Sequence, residues 1–151
     1  MYTKILLPTD GSELATATVR EGIEFARQIN AKVVTLFVAS NYQYPIYIDI
    51  IPPNTPTEEE YQAAMRSYAS AYLDAARHVA EQAGVTCDGL VHFNDSAAKE
   101  VVHTAQQEAC DLIFMGSHGR SGVGNLLLGS TTMKVLSLCN IPVLVHRTKN
   151  H

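Results

Sequence analysis

The sequence predicts an α/β fold, a doubly wound five-stranded parallel sheet with helices on both faces. Three observations predict it. Five short apolar runs alternate with four helical patterns. The apolar runs are continuous, as in strands buried on both sides, where a half-solvated strand would alternate. Right-handed crossovers then leave a doubly wound, Rossmann-like arrangement as the simplest way to connect them.

Each element follows from its own residues. Lys4–Leu7 reads as a buried strand ended by Pro8. Over 12–29, Ala15, Val19, Gly22, Ile23 and Ala26 fall on one helical face. Lys32–Val38 is a second strand, β-branched and apolar. Residues 40–56 hold four prolines and several tyrosines without a period, so they read as a surface excursion. Thr57-Glu58-Glu59-Glu60 matches a capping box. The helix it opens runs to Ala83, with Tyr61, Met65, Tyr68, Tyr72, Ala76, Val79 and Ala83 as its expected inner face, and Gly84 stops it. Val85–Phe93 is a strand with a polar patch. Asp95 or Ser96 caps the next helix, which buries Ala98, Val101, Val102 and Ala105. Asp111–Met115 is a strand ending in Gly116. After a glycine-rich stretch, Ser130–Leu138 is a short helix and Pro142–Val145 the last strand. No internal repeat is visible, and 1–151 reads as one domain.

Composition excludes several classes. With 46% hydrophobic and 17% charged residues, the chain has the make-up of an ordinary globular protein. The net charge of −4 is spread along the chain with no basic block, which argues against a nucleic-acid partner. Cys87, Cys110 and Cys139 have no paired spacing, so buried free thiols are expected rather than a disulfide framework or a redox pair. No signal peptide is evident and no apolar run approaches the ~20 residues needed to span a bilayer. The expectation is a cytoplasmic protein without membrane insertion.

The segment from Met115 to Thr132 carries the chemistry. It leaves a strand, passes through glycines and enters a helix. A phosphate needs close backbone approach and free N–H groups, which glycines and a helix N-terminus supply together. Gly116 and Gly119 suit the first need; Gly129 with Ser130, Thr131 and Thr132 suits the second, with hydroxyls as further donors. A flexible loop before a capped helix is the bland alternative. Gly124–Thr131 has P-loop spacing, but Ser130 stands where that motif requires Lys, so a vigorous NTPase is not expected. No GxGxxG follows the first strand, which argues against a dinucleotide oxidoreductase. The remaining histidines show no ligand spacing, so no metal site is expected. No GxSxG elbow surrounds Ser117 or Ser121, and a Ser/His hydrolase is set aside.

Gly116-x2-Gly119-x9-Gly129-Ser130 resembles the nucleotide motif of the universal stress protein family, with every position filled. Lys4–Ser12 is similar to that family's first strand and loop, and Asn140–Val145 to its last strand. The resemblance spans essentially the whole chain and implies the ATP-binding branch, with ATP or AMP as ligand and Mg2+ as an accompanying ion. Carried across, Asp10 would accept from the ribose hydroxyls, although it or Ser12 could equally cap the first helix. Pro8 and Thr9 would flank the nucleoside. Val38 would offer backbone groups and an apolar wall to adenine, and Met115 would pack on the ring or fill the core. His118 and Arg120 would meet phosphate or remain solvated. The excursion, with Tyr42, Tyr44 and Tyr47, would cover the ligand or a partner.

The resulting expectation is a nucleotide-dependent stress-response or signalling module without catalytic residues. A slow ATPase or nucleotidyl transferase is one rival, and a nucleotide-independent scaffold is another. The last strand, 142–146, lies at a sheet edge in the expected order and is followed by a short polar tail. An exposed apolar edge is a template for pairing, so a homodimer through that strand is expected.

Overall fold

The computed structural model describes residues 1–46, 51–118 and 128–148. In chain order the elements are β1 (Lys4–Thr9), α1 (Glu13–Ile29), β2 (Lys32–Ala39), α2 (Glu58–Ala83), β3 (Cys87–Phe93), α3 (Ala97–Gln107), β4 (Leu112–Gly116), α4 (Ser130–Leu138) and β5 (Val143–His146). The five strands are parallel in the order β3-β2-β1-β4-β5. The chain winds one way from β1 through β2 to β3, then crosses back to β4 and β5.

Side-chain alternation sorts the core into two layers. Ile5, Leu7 and Val33 point to the face covered by α1 and α2, where Val19, Ile23, Ala76 and Ala80 meet them. Leu6, Val34, Leu36 and Ile113 point the other way, against Val101 and Ala105 of α3 and Val135 of α4. This two-sided burial is why the strand runs are continuously apolar.

β1 does not end at Pro8, as the sequence suggested, but runs on to Thr9. The reason lies in which neighbour each residue addresses. Lys4 O accepts from Asp111 N, on the β4 side, while Thr3 O accepts from Lys32 N, on the β2 side. Residues 4, 6 and 8 therefore present their backbone groups to β4, and residues 3, 5, 7 and 9 to β2. Pro8 lacks its N–H only on the β4 side. Pairing with β2 accordingly continues to Thr9↔Phe37, whereas pairing with β4 is confined to Ile5↔Leu112 and Leu6↔Ile113. The sheet is unlaced between the carboxyl ends of β1 and β4, where its strand order reverses.

The long helix also differs in its buried face. Its capping box is present, with Thr57 Oγ1 accepting from Glu60 N and the Glu60 carboxylate from Thr57 N, and Gly84 ends it in a left-handed conformation. The buried residues are Ala69, Leu73, Ala76 and Ala80, not the tyrosine stripe. Small side chains let the helix backbone approach the sheet. The tyrosines lie one step around it, so that Tyr68 is 42% exposed and packs edge-on against Phe37. Elsewhere Ser12 caps α1 and Ser96 caps α3, each accepting from the N–H three residues on.

Asp111 ties the amino end of β1 to the start of β4. Its carboxylate accepts from Thr3 N, Thr3 Oγ1 and Lys4 N at 2.8–3.0 Å. Burial raises this carboxyl, but the bonds from Lys4 and Thr3 outweigh it and hold it below the ordinary 3.8. At Glu100 burial is likewise outweighed, by bonds to Asn94 and His92, and the group sits below the ordinary 4.5. Both groups are more acidic folded than unfolded. Each contributes stability above its ordinary value and loses it as pH falls through the folded one. The urea midpoint should therefore drop as pH is lowered below 4.5. Asp111→Ala should cost about 1–2 kcal/mol at neutral pH and flatten part of that acid dependence. An unchanged midpoint with the same acid slope would contradict this role.

Candidate functional site

A cleft opens where β1 and β4 separate. Its position is where open α/β sheets bind ligands. Pro8, Thr9 and Asp10 form one lip, Met115, Gly116 and His118 another, and Thr131 and Thr132 of α4 close a third side. Leu36 and Val38 of β2 with Ala97 and Val101 of α3 supply an apolar wall. Leu36, Val38, Val101 and Met115 belong to the α3–α4 layer of the core, so the cleft lies on that face. Most of the residues singled out in the sequence thus meet in one place.

The Asp10 loop is a tight turn fixed by its own side chains. Thr9 Oγ1 accepts from Gly11 N at 3.2 Å and Asp10 Oδ1 accepts from Ser12 N at 2.9 Å. Ser12 Oγ in turn accepts from Ala15 N, so Ser12 and not Asp10 caps α1. This leaves Asp10 on the cleft lip, at a strand end, in a turn that its carboxylate helps to shape. Gly11 is required here twice over. Its φ is +79°, and a Cβ would stand 2.7 Å from the Tyr72 ring.

The opposite lip is stitched to α4. Gly129 N donates to Ser117 O at 2.6 Å, and Thr132 Oγ1 donates to Gly116 O at 2.8 Å. The two ends of the glycine-rich segment are thereby brought together, as its composition predicted. Gly119 and Arg120 lie outside the described residues. The Thr132 hydroxyl proton is spent on Gly116, so this hydroxyl is not the extra donor the sequence suggested. Gly116 has a packing reason as well, since a Cβ would lie 3.1 Å from Thr18 Oγ1 on the α1 side of the sheet. Gly129 is the N-cap of α4 with φ −70° and ψ 158°, a conformation open to any residue. What glycine provides there is an N-cap without a side chain. No side-chain hydrogen bond caps α4, and Ser130 and Thr131 are exposed at its start. The start of α4, with the partial positive charge of its first turn, thus borders the cleft, and among the described residues no side-chain oxygen caps it. His118, also on this lip, has its Nδ1 3.0 Å from Ser117 Oγ.

The cleft therefore offers apolar walls in its middle, a carboxylate at one lip and a helix N-terminus at another. Residues 1–147 match the Universal stress protein family. The chain belongs to that family. Universal stress protein MJ0531 of Methanocaldococcus jannaschii is 28% identical over 149 residues, covering 96% of this chain and 82% of that protein. The solved structure of MJ0577, from the same organism, superposes with a TM-score of 0.81 at 30% identity, covering 100% of this chain and 99% of the other. A universal stress protein family member from Arabidopsis thaliana, solved with AMP bound, has the same fold at a TM-score of 0.65 and 14% identity, covering 97% and 92%.

Four lining residues were not read from the sequence as site residues, Ala15, Leu36, Ala97 and Val101, although Ala15 and Val101 were placed there on packed helix faces. Leu36 could have been found from Val38, because residues two apart on a strand share a face. The alanines gave no signal, since their contribution is to leave space. The described part of the tyrosine-bearing excursion is tied to itself and to α2. Tyr61 Oη donates to Ser40 O, Tyr42 Oη to Pro56 O and Tyr44 Oη to the Glu58 carboxylate. Tyr47 lies outside the described residues.

Gly11→Ala should destabilise the protein by about 1–3 kcal/mol through its left-handed backbone and the clash with Tyr72. Placing the change in a Tyr72→Ala background should recover the clash but not the backbone part. Urea denaturation of the four proteins of the cycle measures both. Equal stability of Gly11→Ala and the parent would contradict the turn described here.

Proposed function

We propose that this protein is an adenine-nucleotide-binding stress-response or signalling module, with ATP or AMP held in the β1–β4 cleft. The observation that carries the reading is the convergence of an apolar slot, the Asp10 carboxylate and the N-terminus of α4 in one cleft. Adenine occupies the slot between Pro8, Val38 and Met115. Asp10 accepts from the ribose hydroxyls, and a carboxylate there disfavours a phosphate on the ribose. The phosphates lie at Gly116, Gly129, Ser130 and Thr131, where N–H groups and the helix dipole meet negative charge. Gly119, His118 and Arg120 complete the cradle. Mg2+ would arrive on the phosphates of ATP, since no cluster of metal-ligating side chains forms among the described residues.

The reading is one of binding rather than turnover. The P-loop Lys, which neutralises terminal phosphates in working NTPases, is replaced by Ser130. Three free cysteines suit a reducing compartment, the cytoplasm. No helix among the described residues is long and apolar enough to cross a membrane. Titration calorimetry tests the site. AMP should bind the parent protein, and Gly129→Val should weaken it about tenfold or more by filling the mouth of the cradle. The backbone at 129 accepts valine without strain, so the variant should fold. Undiminished affinity in a folded Gly129→Val variant would place the phosphates elsewhere.

The same reading includes a homodimer through β5. That strand is the sheet edge beside β4, it is half-buried along its length, and it carries Val143, Leu144 and Val145. Antiparallel pairing with a second copy about a two-fold axis would cover it. Light scattering should give a dimer mass. Leu144→Pro, which removes a mid-strand backbone donor, should shift that mass toward the monomer. A parent protein that stays monomeric at high micromolar concentration would contradict the pairing.

A further inference from the structure

On the sheet face away from the cleft, a groove lies between α1 and α2 that has only Thr9 in common with the cleft's lining. Val19, Ala76 and Val79 line its interior. Two successive small residues, Ala75 and Ala76, keep α2 from filling it. Tyr72 also lines it, and its ring is held in place against Gly11, where a Cβ would approach to 2.7 Å. The groove is thus a preformed slot with a fixed aromatic wall, the kind of enclosure a small molecule occupies with little ordering cost.

Arg20 of α1 and His78 of α2 also border the groove, and both are exposed. Two carboxylates on the same helices are already committed. Glu24 is paired with Arg27 at 2.6 Å, and Asp74 with Arg77 at 3.0 Å. Among the described residues Arg20 makes no ion pair. An apolar slot beside an unpaired guanidinium is complementary to a molecule with a compact apolar body and a single carboxylate. The planar fork of Arg suits a carboxylate in particular.

We propose that the α1–α2 groove is a second ligand site, taking a small amphipathic monocarboxylate whose head pairs with Arg20 and whose body lies on Val19, Tyr72, Ala76 and Val79. It lies on the other face of the sheet from the nucleotide cleft and shares only Thr9 with it. The probe is octanoate, titrated calorimetrically into the full-length protein, Arg20→Gln and Ala75→Phe. Both substitutions are at exposed positions, and matching thermal unfolding midpoints would establish that the variants are folded. Octanoate should bind the parent saturably at one site. Arg20→Gln should weaken it about tenfold, the loss of one charge-assisted pairing. Ala75→Phe should abolish binding by filling the slot. Octanamide, of the same length but uncharged, should bind the parent about as weakly as octanoate binds Arg20→Gln. The proposal is overturned by an absence of saturable octanoate binding, by equal affinity in all three proteins, or by octanamide binding as tightly as octanoate.

Discussion

The missing N–H of Pro8 organises the functional end of this molecule. A central strand of a parallel sheet ordinarily donates to both neighbours along its length. Here β1 keeps its full ladder with β2 and loses the one with β4 after Leu6↔Ile113. The loss falls where the chain changes winding direction, between the two strands whose following connections diverge to opposite sides. Without the crosslink the lips can stand apart, and Asp10 and Gly116 are carried on separate, firmly anchored strands. Rigid elements thus position the cleft, and short turns present its polar groups.

How each lip is anchored determines what it can offer. On the β1 side, Thr9, Asp10 and Ser12 satisfy the backbone of their own turn, so the carboxylate is presented from a fixed frame. On the β4 side, Ser117 O and Gly116 O take bonds from Gly129 and Thr132, which fixes the start of α4 against the strand end. Ser12, Thr57 and Ser96 cap their own helices, whereas α4 begins at a glycine that cannot. Among the described residues no side chain caps that N-terminus, and an anion in the cleft would supply its donors with an acceptor.

Strand–helix order, the helix spans and the meeting of most candidate residues in one cleft were legible in the sequence, because each rests on local signals. Continuous apolar runs, Thr57 with Glu60, Gly84 and the step from Gly129 into Ser130 are short-range patterns with a single physical meaning. The misreadings came where a residue's effect depends on a neighbour distant in sequence. Pro8 looks like a strand terminator until the side of its missing donor is known. The tyrosines of α2 look like its core until the sheet draws in Ala69, Leu73 and Ala80 beside the expected Ala76. Gly116 was read as space for phosphate and Gly129 as the start of a helix offering N–H groups; the structure adds that Gly116 makes room for Thr18 and that Gly129 holds a backbone open to any residue. Ala15 and Ala97 shape the cleft by what they lack, and a small residue carries no such message in one dimension.

The central claim is that a nucleotide phosphate lies at the first turn of α4 in the β1–β4 cleft. Hydrogen–deuterium exchange with and without saturating AMP tests it most directly, because the first-turn amides of an uncapped helix exchange readily until an acceptor arrives. The account predicts slowed exchange at Ser130, Thr131 and Thr132, together with slowed exchange through Thr9–Ser12. Protection confined to other segments, with exchange at 130–132 unchanged by bound AMP, would contradict it.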